Sequence, residues 1–159
     1  MLIQYRPIGY FHSPFDNVEG MPIQPVGGKS VEATIEILPE FRDGLQDLDG
    51  FSHLIVLSHL HRINGFNLIV KPFLDVDDHG IFATRSPKRP NPIGFSVMQL
   101  MTVTESSVTV SGVDILNGTP VLDIKPYVAD FDIWQADRFG WFEGKSKNAD
   151  HHLSDDRFV

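Results

Sequence analysis

The chemistry in this chain is concentrated in two segments. The first is Arg85-Ser86-Pro87-Lys88-Arg89-Pro90-Asn91-Pro92-Ile93-Gly94. Each proline fixes its own φ and drives the residue before it towards extended backbone. Arg85, Lys88 and Arg89 fall within this stiff loop with no acid between them. Cations held at set spacing suit an anionic or polar ligand, although the same composition also makes a rigid surface connection. The second segment carries Asp114, Asn117-Gly118, Asp123, Lys125 and Tyr127. Asp114, Asp123 and Tyr127 are candidate proton acceptors or orienting groups, and Lys125 can hold a phosphate or carboxylate. The plain alternative is a turn, signalled by Asn-Gly, between two strands with their charges in solvent. Asp123 and Lys125 lie two apart, so on a strand they share a face and can simply pair. His53, His59 and His61 cluster near one apolar run, but no cysteine joins them, so no metal site is expected. Arg62 also reads as a solvated strand end, and His151-His152 as a solvated pair in an acidic tail.

The elements that must position these residues are short and mostly extended. Residues 31–37 alternate with period two, as a half-buried strand should. Residues 52–60 form an apolar run between Asp49-Gly50 and Arg62, which reads as a buried strand. Further strands are expected over 81–84, 94–103, 107–113 and 121–124. Leu38, Phe41, Leu45 and Leu48 recur every three or four residues, which predicts a helix over 39–48 with Pro39 near its start. Short strands punctuated by turn residues predict a mainly β chain folded as a small barrel or sandwich. The alternating units of a doubly wound sheet and the Gly-x-Gly-x-x-Gly fingerprint are both absent.

Composition bounds the possibilities. At 159 residues, 42% of them apolar and 21% charged, the chain suits one domain with a real hydrophobic core. There is no cysteine, which excludes disulfides, thiolate zinc sites and cysteine nucleophiles. Residues 1–10 do not read as a signal peptide, and no apolar run approaches the length of a membrane span. A cytoplasmic protein without membrane contact is expected. The net charge of −8 opposes non-specific nucleic-acid binding. Its distribution is uneven, with the cations of 85–89 in mid-chain and Asp150, Asp155 and Asp156 near the end. Residues beyond about 144 have no hydrophobic period and read as a loosely attached tail, so the division expected is 1–140 for the domain and 141–159 for the tail.

The motif running from Phe82 through Arg85-Ser86-Pro87-Lys88-Arg89-Pro90-Asn91-Pro92-Ile93-Gly94, followed by Asp114 and by Asn117-Gly118-Thr119-Pro120-Val121-Leu122-Asp123-Ile124-Lys125-Pro126-Tyr127, resembles the TsaA/TrmO (YaeB-like) family. Ile8-Gly9, Ser13-Pro14 and Gly50-Phe51-Ser52-His53-Leu54 match that family in the same order, so the resemblance spans roughly residues 5–140. It implies a small antiparallel β-barrel, paired as a homodimer, that binds S-adenosyl-L-methionine. It also implies methylation of N6 of threonylcarbamoyladenosine at position 37 in the anticodon loop of tRNA. By the same resemblance, cofactor contacts fall on Pro22, Ile23, Gln24, His61, Arg62, Arg85, Val97, Asp114, Ile115, Leu116 and Asn117. Arg85 suits the cofactor carboxylate as a bidentate donor, and the backbone of 115–117 suits the adenine edge. Val97 is plain barrel lining unless its backbone is used. Local charge, rather than the resemblance, makes Lys88, Arg89, Asn91 and Lys125 the expected substrate contacts, with Arg85 assigned mainly to the cofactor. This chain departs from the bacterial form at Asn117, where that form has Asp, and in lacking its C-terminal extension. Two other readings stay open: methyl transfer to a different substrate on the same barrel, and a binding module that senses adenosylmethionine without turnover.

Overall fold

The computed structural model describes residues 1–17, 19, 21 and 31–144. Six antiparallel strands close into a barrel: β1 (Gly9–His12), β2 (Glu32–Ile37), β3 (His53–His59), β6 (Ile93–Val103), β7 (Ser107–Ser111) and β8 (Pro120–Pro126). Their order around the barrel is β1-β2-β7-β6-β3-β8. Closure leaves no unpaired strand edge within it. Alternation decides what faces inward. Leu54, Val56 and Ser58 of β3 are buried, as are Ser96 and Met98 of β6 and Val108 and Val110 of β7. The apolar members of this set, with Phe11, Ile35, Ile37 and Val121, make one continuous core. Gly9 is required where β1 meets β2: a Cβ there would stand 2.2 Å from the Glu36 carbonyl oxygen. Leu57 and Ser58 bracket an irregularity in the β3–β8 pairing, where Leu57 faces Asp123 but Ser58 faces Val121.

The excursion between β3 and β6 folds on itself. β4 (Ile69–Val70) and β5 (His79–Gly80) pair as a two-stranded ribbon, and Val70, Ile81 and Phe73 form a separate small core. The end of the described chain returns to this excursion. The Trp141 indole N–H donates to the Ala83 carbonyl at 2.7 Å, its ring stacks on His79 at 4.5 Å, and His79 in turn bonds Asp75 at 3.1 Å. The sequence division at 140 thus places a docked residue, Trp141, on the tail side; residues 145–159 lie outside the described residues.

Two expected elements take other forms. Residues 39–48 are not an α-helix but two 3-10 turns, Pro39–Leu45 and Leu48–Gly50. Asp47 between them has φ 64°, the left-handed region, which ends any continuous helix. Residues 81–84 are not a strand: Ile81–Ala83 is a 3-10 turn, with the Thr84 amide and hydroxyl both donating back to the Ile81 carbonyl. α1 (Ala129–Asp132) is a single turn after β8.

Candidate functional site

The segment after β7 carries the most unusual ionisable group. Asp114 is reached from inside the barrel by Ser96, whose hydroxyl donates to its Oδ1 at 2.9 Å. Burial pushes the Asp114 carboxyl up to about 6. The Ser96 hydrogen bond, a backbone hydrogen bond and the Arg85 charge pull in the opposite direction and only partly offset it. Arg85 and Asp114, twenty-nine residues apart in the chain, are therefore within electrostatic reach of each other. A desolvated carboxyl pushed up towards neutrality within the field of a cation is an arrangement found at functional sites.

Next to it the backbone is sewn into a second rim. Ser13 donates its hydroxyl to the Ile115 carbonyl at 2.6 Å. The Asn117 amide N–H donates to Phe15 at 2.7 Å. The Asn117 side chain accepts from the Ser13 N–H at 3.3 Å and donates to Asp16 at 3.1 Å. Gly118 turns the chain at φ 74°. Arg62 donates to the Asp16 carbonyl at 2.9 Å, so the segment after β3 joins the same rim. His61, beside it, has its pKa lowered by partial burial and then by the neighbouring charges of Arg62 and His59. Arg62, Asn117 and Ile115 thus converge through Ser13, which the sequence marked only as part of a family motif, and Asp16, which it did not mark. Three backbone groups assigned to adenine are already committed: the Ile115 carbonyl to Ser13, the Leu116 carbonyl to Thr119 and the Asn117 N–H to Phe15. Hydrogen bonding to an adenine edge therefore falls to other groups of this stretch or to second lone pairs.

The proline-rich loop is as stiff as its composition predicts, for a further reason. One nitrogen of Arg89 donates to the carbonyls of Ile81 at 3.1 Å, Thr84 at 2.9 Å and Ser86 at 3.4 Å. Arg89 is the hub around which the loop bends, and this use of its guanidinium differs from the phosphate contact expected of it. Lys88 and Asn91 stay on the same loop, Lys88 accepting the Asn67 N–H through its carbonyl, while Asn91 is exposed. The Ser86 hydroxyl is buried without a hydrogen-bond partner among the described residues, as is Ser58 in β3.

Other expected site residues stand apart. Val97 lies on the outer side of β6, opposite Ile55, while its neighbour Ser96 points in. Asp123 and Lys125 lie on the outer side of β8 and form an ion pair with each other. Tyr127 sits at the rim by His53, its N–H on the His53 carbonyl at 3.0 Å and its ring edge-on to the imidazole. Ser96 pairs with Val56, three residues further along β3, so about 10 Å of strand separates the two levels. Of the three candidate proton acceptors, Asp114 alone reaches into the barrel. Pro22, Ile23 and Gln24 lie outside the described residues. Ser96 also escaped sequence reasoning; its signal was a hydroxyl at an inward position of an otherwise apolar strand.

Fold and site together define a small closed β-barrel with its chemistry at one end, built from the segments that follow β1, β3 and β7 and the stiff loop before β6. Residues 10–133 match the family model described as the tRNA-methyltransferase O N-terminal domain. A probable S-adenosyl-L-methionine-binding protein of Pyrococcus abyssi is 46% identical over 158 residues, covering 99% of this chain and 86% of the relative. A tRNA (adenine(37)-N6)-methyltransferase of Rattus norvegicus is 40% identical over 80% of this chain, which spans 31% of that enzyme. The crystal structure of TrmO from Pseudomonas aeruginosa superposes with a TM-score of 0.74 at 36% identity, over 89% of this chain and 63% of that one. The chain belongs to the TrmO family.

Proposed function

We propose that this chain is an S-adenosyl-L-methionine-dependent tRNA methyltransferase of the cytoplasm, acting on N6 of threonylcarbamoyladenosine at position 37. The observation that carries the reading is Asp114: a buried carboxyl at the end of the barrel, held by the Ser96 hydroxyl at 2.9 Å and pushed up to about 6 by burial. The residues present fit the cofactor. Arg85 supplies a cation for its carboxylate, Ser86 next to it offers a buried hydroxyl that lacks a partner, and the 115–117 backbone and Asn117 line the adjacent rim. When bound, S-adenosyl-L-methionine supplies an electrophilic methyl group on a sulfonium.

The chain's own work is to orient and to take a proton. The accepting nitrogen is carbamoylated, so its lone pair is delocalised and the N–H must be lost during or after methyl transfer. Asp114 accepts that proton, its pKa near the operating pH being suited to general-base catalysis. Asp123, Lys125 and Tyr127 are left to contact the RNA or the threonyl group rather than to take the N6 proton. Incubation with labelled adenosylmethionine and total tRNA, with and without threonylcarbamoylation, followed by nucleoside analysis, tests the assignment. Label in N6-methyl-threonylcarbamoyladenosine, dependent on the prior modification, is expected. Label in a different nucleoside would replace the substrate, and cofactor binding with no transfer at all would leave a sensor in place of an enzyme.

A further inference from the structure

We propose that Ser96 is a positioning residue for methyl transfer, its hydroxyl fixing the rotamer of Asp114 and holding that carboxylate at the end of the barrel. The inference rests on the reading of Asp114 as the proton acceptor. Three observations carry it. Ser96 is 3% exposed on the inner side of β6, flanked by apolar Met98 and facing Val56 across the β3–β6 ladder. A hydroxyl in such surroundings is costly unless it is hydrogen-bonded. Its side-chain partner is Asp114, eighteen residues away on another segment, at 2.9 Å.

The second observation is that space has been kept for hydroxyls at this end of the barrel. Two residues before Ser96, Gly94 faces Ser58, and a Cβ at Gly94 would stand 2.4 Å from the Ser58 hydroxyl oxygen and 3.1 Å from Leu60. Ser58 and Ser96 therefore make the interior polar where β3 meets β6, next to the apolar cluster that holds Leu54, Val56 and Met98. The third is that Asp114 lies on a segment outside the ladder, the 112–119 connection, where its direction is not set by strand pleating. A hydrogen bond from a strand residue gives it a fixed direction. Besides Ser96 and its own backbone, the charge that acts on Asp114 is Arg85, from the loop before β6. Arg85 is exposed, so the rigid member of the pair of influences is Ser96.

The hydroxyl donates to the ionised carboxylate and thus favours the form that accepts a proton. Ser96→Ala removes the donor, so Asp114 becomes harder to ionise and less well directed. The test follows the Asp114 carboxyl directly by 13C NMR titration of the cofactor-free protein, alongside the pH dependence of kcat/KM. In wild type the carboxyl should titrate near 6. In Ser96→Ala the midpoint and the acid limb of kcat/KM should both move up by about one pH unit. Ser96→Cys, similar in size with a weaker donor, should move them part of the way, and it serves if the alanine variant does not fold. Thermal melts establish that each variant is folded. An unmoved carboxyl titration in folded Ser96→Ala or Ser96→Cys overturns the proposal. Asp114→Asn separates the two layers of the argument. If that variant retains the wild-type acid limb and rate, Asp114 is not the proton acceptor, and the catalytic role of Ser96 falls with it. If it loses both while the Ser96 variants leave the titration unmoved, Asp114 stands and Ser96 alone is overturned.

Discussion

Burial of the Asp114 carboxyl should cost the fold stability, and unfolding at several pH values reads that cost. Its folded pKa, about 6, lies above the ordinary value of 3.8. Between these two values the native state holds a proton that the unfolded chain has released, so this group makes the protein less stable as pH rises through that window. The loss levels off about a pH unit above the folded value. A difference of two pH units corresponds to about 3 kcal/mol. Asp114→Asn keeps the shape and an acceptor for Ser96 but has no charge to bury. It should therefore be more stable than wild type by about 2–3 kcal/mol at pH 7.5, with the gap closing below pH 4, as read by denaturant unfolding at several pH values. A gap that does not change with pH would show that the carboxyl is not desolvated. Arg85 is the matching case for binding. Arg85→Ala should weaken adenosylmethionine affinity by roughly 1–3 kcal/mol in calorimetry, the size of a charge-assisted hydrogen bond lost; an unchanged affinity would remove it from the cofactor site.

At the scale of elements, Gly9 shows how closely two strands approach. A Cβ there would meet the Glu36 carbonyl oxygen at 2.2 Å and Ile37 Cα at 3.2 Å. Both are backbone atoms of β2, so relief requires moving a strand of a closed barrel. Gly9→Ala should cost about 1–3 kcal/mol in denaturant unfolding, the range of overpacking in a core, whereas Gly50→Ala, with nothing within 4 Å, should be near neutral. This position also marks the limit of what the sequence discloses. Residues 31–37 and 107–113 gave away their strands because β-branched and small apolar residues alternate there with polar ones. β1 was not read as a strand because Gly9, Tyr10, Phe11 and His12 do not alternate clearly. β4 and β5, two residues each, are too short for any period. Residues 81–84 look extended by composition, yet they coil because the Ile81 carbonyl accepts from Thr84 and from Arg89, a distant donor that no local pattern announces. The site was legible in part for the same reason. The Arg85 loop and Asp114 stood out by residue type and by family resemblance, but their proximity, and the parts played by Ser13, Asp16 and Ser96, depend on barrel closure.

Over the whole molecule, surface and charge set the terms for partners. The outer side of β3 and β6 carries Ile55, Leu57 and Val97, half-buried, with Phe95 53% and Ile93 44% exposed beside them. Such a face suits a second copy of the chain, with the proline-rich loop at its border. Wild type should sediment as a dimer, and Phe95→Glu should sediment near 17.9 kDa; a wild-type monomer at micromolar concentration would remove the pairing. Charge is the harder constraint. With a net −8, the chain can hold tRNA only through cations gathered at one place, and Arg89 is largely committed to the carbonyls of its own loop. We assign the phosphate contacts to Lys88 on that loop and Lys125 on β8. The Lys125–Asp123 pair is half-exposed, and a pair of that kind contributes only about 0–1 kcal/mol, so exchanging Asp123 for a phosphate costs the fold little. Each phosphate contact releases counterions, and the slope of log affinity against log salt counts such contacts. Lys88→Ala and Lys125→Ala should each flatten that slope by about 0.7–0.9 for tRNA and raise its KM, while adenosylmethionine affinity in calorimetry stays within twofold of wild type. If both variants keep the wild-type slope, RNA does not approach by this face. If they lose cofactor affinity instead, the two lysines belong to the cofactor's end of the barrel, and the acidity of the chain argues for a substrate other than RNA.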